Sequence, residues 1–164
     1  MGHGKQNVRY FISYAHGDKP LKEDCLKRLG PLLHCAKTYE FIPWDDGDIV
    51  VGEDWFSSIT HAIQQCDFGL LLVSPAFLSS SFISAHELPK FLPSSSSGYA
   101  KRAVPVALKP IDFSRDFDLK GLEHMQIFRD ADGKAFQQRS TGNTKDEWVR
   151  QLFQKIIQVA SKCQ

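Results

Sequence analysis

The run DFGLLLVS at residues 67–74 constrains the fold of this chain more than any other feature. It is short, apolar without interruption and bounded by polar residues, a pattern typical of a strand that is buried on both faces. Comparable runs at residues 8–14, 39–42 and 103–108 predict three more strands, and residues 125–128 predict a weak fifth. Segments with helical spacing separate these runs, so the sequence predicts a doubly wound α/β domain with a parallel sheet.

The predicted helices follow the strands. Pro31 lies within the first of them and predicts a kink or an early end there. The serines at 79–81 offer caps for the helix that follows the third strand. The helices are predicted at residues 20–36, from the long loop 44–55 through Ile63, from residues 79–81 through Phe91, and at residues 146–160.

Three segments follow predicted strands at one edge of this sheet. In open α/β sheets, ligands bind beyond the carboxyl ends of the strands, where the strand order reverses. We therefore expect a ligand site among residues 13–18, 44–54 and 74–87.

Composition excludes several classes of protein. The chain carries 20 Lys and Arg against 19 Asp and Glu, a net charge of +1, which gives no overall field for nucleic acid or an anionic membrane. The longest apolar stretch, residues 68–78, is about half as long as a membrane-spanning helix, and the N-terminus lacks a signal core. The four cysteines have no zinc-ligand spacing, so we expect reduced thiols, three of them buried, and no metal site. We expect a cytoplasmic protein that binds neither nucleic acid nor membrane.

The common catalytic motifs are absent from the sequence. Residues 47–54, GDIVVGED, have the glycine spacing of a phosphate-binding loop, but Glu53 stands where such a loop needs lysine. A phosphorelay receiver needs an aspartate at the end of the third strand, where this chain has Ser74. No GxSxG, HExxH or GxGxxG motif is present.

Four ordered segments resemble Toll/interleukin receptor (TIR) domains, most closely those of the bacterial branch. They are FISYAHGD at residues 11–18, FIPWDDGDIVVGEDW at 41–55, LLLVSPAFLSSSF at 70–82 and HEL at 86–88. The resemblance extends over residues 7–160. It implies a flavodoxin-like, five-stranded parallel sheet with helices on both faces, a single domain over residues 1–164 that can be part of a larger protein.

The resemblance implies an activity for Glu87. Many TIR domains cleave NAD+ at the nicotinamide–ribose bond, and their catalytic glutamate corresponds to Glu87. The assignment is chemically reasonable because loss of nicotinamide leaves an oxocarbenium-like ribosyl cation, which a nearby carboxylate stabilises. Many NAD+-cleaving members carry an aromatic or Cys-Trp pair just before this glutamate, where this chain has Ile83 and Ser84, and Phe82 is then the candidate ring.

The resemblance also implies where the substrate binds. NAD+ is expected as substrate, with no separate cofactor. The residues expected to bind it come from the first loop, the long second loop and the third helix. They are Ser13, Tyr14, His16, Trp44, Asp45, Asp46, Gly52 and Phe82. Phe11 and Trp55, in contrast, are interpreted as packing residues.

Charge is unevenly distributed along the chain. Residues 38–89 contain no Lys or Arg, whereas residues 1–37 carry seven basic and three acidic groups. A head-to-tail contact between the acidic segment of one copy and the basic region of the next would be favourable, and such contacts build open filaments. A solvated acidic loop is the alternative. The resemblance implies that self-association with other TIR domains activates the enzyme.

Three functions follow as alternatives. The first is an NAD+ glycohydrolase in antiphage or cell-death signalling. Its second product, besides nicotinamide, is either ADP-ribose or a cyclic ADP-ribose isomer. The second is a non-catalytic TIR interaction module. The third is a nucleoside deoxyribosyltransferase that uses Glu87 as its nucleophile.

Overall fold

The sheet has four parallel strands. The computed structural model describes residues 4–44, 54–92 and 101–163. The strands are β1 (Gln6–Ser13), β2 (Tyr39–Trp44), β3 (Phe68–Val73) and β4 (Arg102–Ala107). Their order is β2-β1-β3-β4, so the chain reverses its direction of winding between β1 and β3. The predicted parallel α/β sheet is confirmed, and the reversal gives the edge beyond β1 and β3 the geometry of a ligand site.

Helices connect the strands and cover the sheet. Ser74 caps helix α3 (Pro75–Ser79) by accepting a hydrogen bond from the backbone N of Phe77, and Asp54 caps helix α2 (Trp55–Gln65) by accepting one from the backbone N of Phe56. A π-helical segment (Ile83–Glu87) and a 3-10 turn (Leu88–Lys90) follow α3. The helices are α1 (Lys19–His34), α2 (Trp55–Gln65), α3 (Pro75–Ser79) and α4 (Gly142–Ala160).

The two faces of the sheet bury separate cores. On one face, Tyr10 and Leu70 pack with the buried sides of α1 and α4, including Trp148. On the other, Phe11 and Leu71 pack with α2, α3 and the segment beyond. Every residue of β3 is buried, as the continuous apolar run predicts. The expectation of helices on both faces is confirmed.

The predicted fifth strand is not found in the described part of the chain. Residues 125–128 contribute one parallel bridge, between Phe128 and Val106. There the backbone N of Phe128 donates to the carbonyl of Pro105 (2.7 Å), and Ala107 donates to the carbonyl of Phe128 (2.9 Å). The next hydrogen bond of this pattern would run from the backbone N of residue 105 to the carbonyl of Gln126. Pro105 has no N–H to donate, so the pairing cannot extend toward Gln126.

Two smaller expectations also need correction. Helix α1 continues through Pro31 and ends at His34, so the proline does not end it. Pro31 is exposed and lies in the last turn, where solvent can satisfy the carbonyl that the missing N–H leaves free. Cys25 and Cys66 are buried, Cys163 is half-buried and Cys35 is exposed, so two thiols are buried where three were expected.

Candidate functional site

A cavity of about 680 Å³ lies at the carboxyl edge of the sheet, where the winding reverses. Its walls come from the segment after β1, the end of β2, the first turns of α2, and the segment between α3 and Glu87. The described lining residues are Phe11, Ile12, Tyr14, Ala15, His16, Gly17, Trp44, Trp55, Ile59, Ala76, Ser80, Phe82, Ile83 and Glu87. Most are apolar or aromatic, with a few polar groups, as in sites that bind small organic molecules.

Glu87 contributes a carboxylate to this cavity. It ends the π-helical segment and is 7% exposed. Glu87 is the only acidic residue among the described residues of the lining, which also include no Lys or Arg. Since charges interact more strongly where water is excluded, a carboxylate in this position can stabilise a positive charge that develops inside the cavity.

The segment after β1 forms the wall that carries Tyr14 and His16. Their rings lie 5.7 Å apart, and Nζ of the buried Lys22 on α1 lies 4.4 Å from the centre of the Tyr14 ring. The cation over its face holds Tyr14 against α1. His16 is exposed, so its imidazole can contact a ligand at the cavity mouth.

Trp44 ends β2 and stacks on Phe11 of the adjacent strand. The two residues are partners in the strand register, and their rings lie 5.2 Å apart at 14°. Phe11 is 2% exposed and also packs on Phe91, which agrees with its interpretation as a packing residue. Trp44 therefore presents its ring to the cavity on an aromatic support.

Trp55 is the site residue that the sequence interpretation missed. It was interpreted as a packing anchor, but its side chain is 53% exposed, it lines the cavity, and its ring lies 5.0 Å from that of Phe82. A helix that precedes a parallel strand starts at the carboxyl edge of the sheet, so the first turn of α2 lies at the ligand edge. That topological signal could have identified Trp55 from the sequence.

The cavity brings together five of the nine predicted site residues: Tyr14, His16, Trp44, Phe82 and Glu87. Ser13 is not among the residues that line it. That serine is 1% exposed, and its Oγ has no hydrogen-bond partner among the described residues. Asp45, Asp46 and Gly52 lie outside the described residues.

Among the described residues, no group of three or more His, Cys, Asp or Glu side chains could hold a metal ion. No helix of this part of the chain is both long and apolar enough to cross a bilayer.

The fold is that of a flavodoxin-like α/β domain with a cavity at the switch point of its sheet. A family model described as TIR domain matches residues 11–140. The chain belongs to the TIR domain family.

A curated relative is the uncharacterized protein y4lF of Sinorhizobium fredii. It is 31% identical over 103 residues, which cover 63% of this chain and 31% of the relative. The match thus spans about a third of the length of that relative.

Proposed function

We propose that this TIR domain is an NAD+ glycohydrolase in which Glu87 is the catalytic carboxylate. The observation that carries the proposal is the location of Glu87, a buried carboxylate in an aromatic-lined cavity at the switch point of the sheet. The TIR family includes members with this activity, and the cavity volume of about 680 Å³ lies in the range of small-molecule sites.

The reaction breaks the bond between nicotinamide and ribose. As nicotinamide leaves with the bonding electron pair, positive charge develops on the ribosyl ring, and the Glu87 carboxylate stabilises it through space. The same carboxylate can accept hydrogen bonds from the ribose hydroxyls and so orient the sugar. Water then adds to the anomeric carbon and loses a proton, which gives ADP-ribose. Attack by an adenine nitrogen instead gives a cyclic isomer.

The aromatic residues supply the contacts for the planar ends of NAD+. Trp44, Trp55 and Phe82 present rings to the cavity, and stacking on such rings contributes about 1–3 kcal/mol per base in nucleotide complexes. His16 is the described lining residue that can offer an imidazole N–H to the diphosphate. Asp45, Asp46 and Gly52 remain proposals from the family resemblance alone.

We further propose that the domain acts in the cytoplasm, in antiphage or cell-death signalling, and that self-association activates it. TIR domains interact with other TIR domains. Exposed basic residues of the N-terminal region, among them Lys19 and Lys27 on α1, can face exposed acidic residues such as Glu40 and Asp54 of a second copy.

The test is nicotinamide release from NAD+ at high protein concentration, with the second product identified. Wild type is expected to release nicotinamide, and Glu87→Ala to lose at least about a hundredfold in rate, the usual scale for an essential electrostatic group. The exposed Asp116, which lies away from α1 and is not among the described residues of the lining, provides a control, and Asp116→Ala should retain wild-type activity.

The same assay separates the alternatives. Base release from a deoxynucleoside but not from NAD+ would indicate the deoxyribosyltransferase. A wild-type domain that is inert on both substrates, even when assembled, would leave the interaction module as the function.

A further inference from the structure

Asp18 is a buried acid that the proposed chemistry does not use. It is 2% exposed and occupies the N-cap position of α1, yet its side chain caps no backbone amide. Instead one carboxylate oxygen accepts a hydrogen bond from Oγ of Ser74, and the other lies 2.9 Å from Nζ of Lys109. A buried carboxylate needs such partners, because an unpaired charge in this position would be strongly destabilising.

The three groups come from the ends of three strands. Asp18 ends the 3-10 turn after β1, Ser74 follows β3 directly, and Lys109 follows the end of β4. Ser74 also begins α3, since its Oγ accepts a hydrogen bond from the backbone N of Phe77 at 3.0 Å. We call Asp18, Ser74 and Lys109 the strand-end clamp.

The clamp joins two walls of the cavity. Residues 14–17, which lie between β1 and Asp18, all line the cavity, and the turn closes by a 2.9 Å hydrogen bond from the Asp18 amide to the Ala15 carbonyl. A second wall, from Ala76 to Glu87, begins just after Ser74. The contact between Asp18 and Ser74 therefore links the end of the Tyr14–His16 wall to the start of the wall that carries Glu87.

We propose that Asp18, Ser74 and Lys109 are positioning residues that hold these two walls at the separation that the substrate requires. The identity of the substrate rests on the proposed function. The clamp itself touches no reacting atom; it acts through residues 14–17. A neutral replacement of a buried ion pair is often no less stable than the pair, so geometry rather than stability is the property that the clamp supplies.

The test compares the clamp with a matched ion pair away from the cavity. Asp130 and Arg139 form a second pair of a buried carboxylate and a partly exposed cation, with side chains 2% and 21% exposed against 1% and 33% for Asp18 and Lys109. The double variants Asp18→Asn/Lys109→Met and Asp130→Asn/Arg139→Met each remove both charges and leave no unpaired buried ion. Ser74→Ala and Lys109→Arg complete the set.

The measurements are KM and kcat for NAD+, the thermal midpoint, and amide hydrogen exchange of residues 14–18. The clamp variant is expected to raise KM about tenfold or more relative to the control variant at a similar thermal midpoint, since small misplacement of a binding wall has effects of that size. Ser74→Ala should do the same to a smaller extent. Lys109→Arg keeps the positive charge, so its KM should stay close to that of wild type. Equal KM values in the clamp and control variants would overturn the proposal.

Failure of the proposed function has a different signature. If wild type neither binds nor cleaves NAD+, the glycohydrolase proposal fails. Amide hydrogen exchange is then the measurement that tests the clamp proposal. Faster exchange of residues 14–18 in the clamp variant but not in the control then supports the clamp, and equal exchange in the two variants overturns it.

Discussion

Two carboxylates at the carboxyl edge of the sheet, Asp18 and Glu87, are buried in different surroundings. Asp18 faces Lys109 at 2.9 Å and Ser74, so its charge is compensated by groups of the protein. Glu87 faces a cavity whose described lining carries no Lys or Arg. A cation that develops in the cavity would therefore interact directly with the Glu87 carboxylate, which is the condition for electrostatic catalysis.

Trp55 gives a prediction at this scale. Trp55→Ala should raise KM for NAD+ about tenfold, because a stacked base contributes about 1–3 kcal/mol. Its effect on stability should be small, since half of the side chain is already exposed (53%). Steady-state kinetics and thermal unfolding measure the two effects.

The adjacent Phe56 is the control for that substitution. It is 42% exposed and contacts His86, but it is not among the described residues that line the cavity. Phe56→Ala should leave KM within about twofold of wild type, as expected for a surface residue without ligand contact. An equal rise in KM for both variants would show that the effect comes from disturbance of α2.

At the scale of elements, charged side chains join α1 to α4. Asp24 accepts a 2.8 Å hydrogen bond from Lys145 of α4 and a 2.9 Å one from Arg28, which also contacts Asp146 at 2.6 Å. The bond from Lys145 is the main cause that lowers the pKa of Asp24 below its ordinary value of 3.8, and the bond from Arg28 acts in the same direction.

The lowered pKa predicts how the stability of this junction depends on pH. Because the folded pKa lies below the unfolded one, the contribution is complete above about pH 4 and is lost as the pH falls through the folded pKa. Asp24→Asn should therefore reduce the free energy of unfolding by about 0.5–1 kcal/mol at pH 7, and this difference should vanish in strong acid. Urea unfolding from pH 7 to pH 2 measures it, and a pH-independent difference would contradict it.

The close approach of β3 to the segment after α3 predicts the effect of an added methyl group. A Cβ on Gly69 would overlap the ring of Phe91, which is 1% exposed. Gly69→Ala should destabilise the fold by about 1–3 kcal/mol, the usual cost of overpacking a core. Gly30 of α1 has nothing within 4 Å of such a Cβ, so Gly30→Ala should be neutral or stabilising. Denaturant midpoints compare the two variants.

The sequence predicted the regular strands and helices better than the irregular segments. The apolar run of β3 and the helical pattern of α4 place those elements within a few residues of their positions. Among the described residues, the missing N–H of Pro105 stops the bridge at Phe128 from extending toward Gln126, and apolar character does not report such a detail. The π-helical segment that ends at Glu87 has no sequence signal of its own, and Trp55 required the topology before it could be placed at the cavity.

At the scale of the whole molecule, the uneven charge predicts how activity depends on assembly. If basic and acidic regions of neighbouring copies pair, turnover per molecule should rise with protein concentration and fall as added salt screens the contact beyond about 10 Å at 0.1 M. The charge-reversal variant Lys19→Glu/Lys27→Glu should weaken the concentration dependence. Initial rates over a dilution series measure this, and a constant rate per molecule would contradict assembly.

The most direct test of the central claim measures NAD+ binding and NAD+ cleavage in the same sample of Glu87→Gln. Glutamine preserves the shape of the side chain and one accepting oxygen, but it replaces the second oxygen with an amide donor and removes the charge. The proposed chemistry predicts that the variant binds NAD+ within a few-fold of the wild-type affinity and releases nicotinamide at least about a hundredfold more slowly. Release of nicotinamide at the wild-type rate by the folded variant would contradict the claim that the charge of Glu87 drives the reaction.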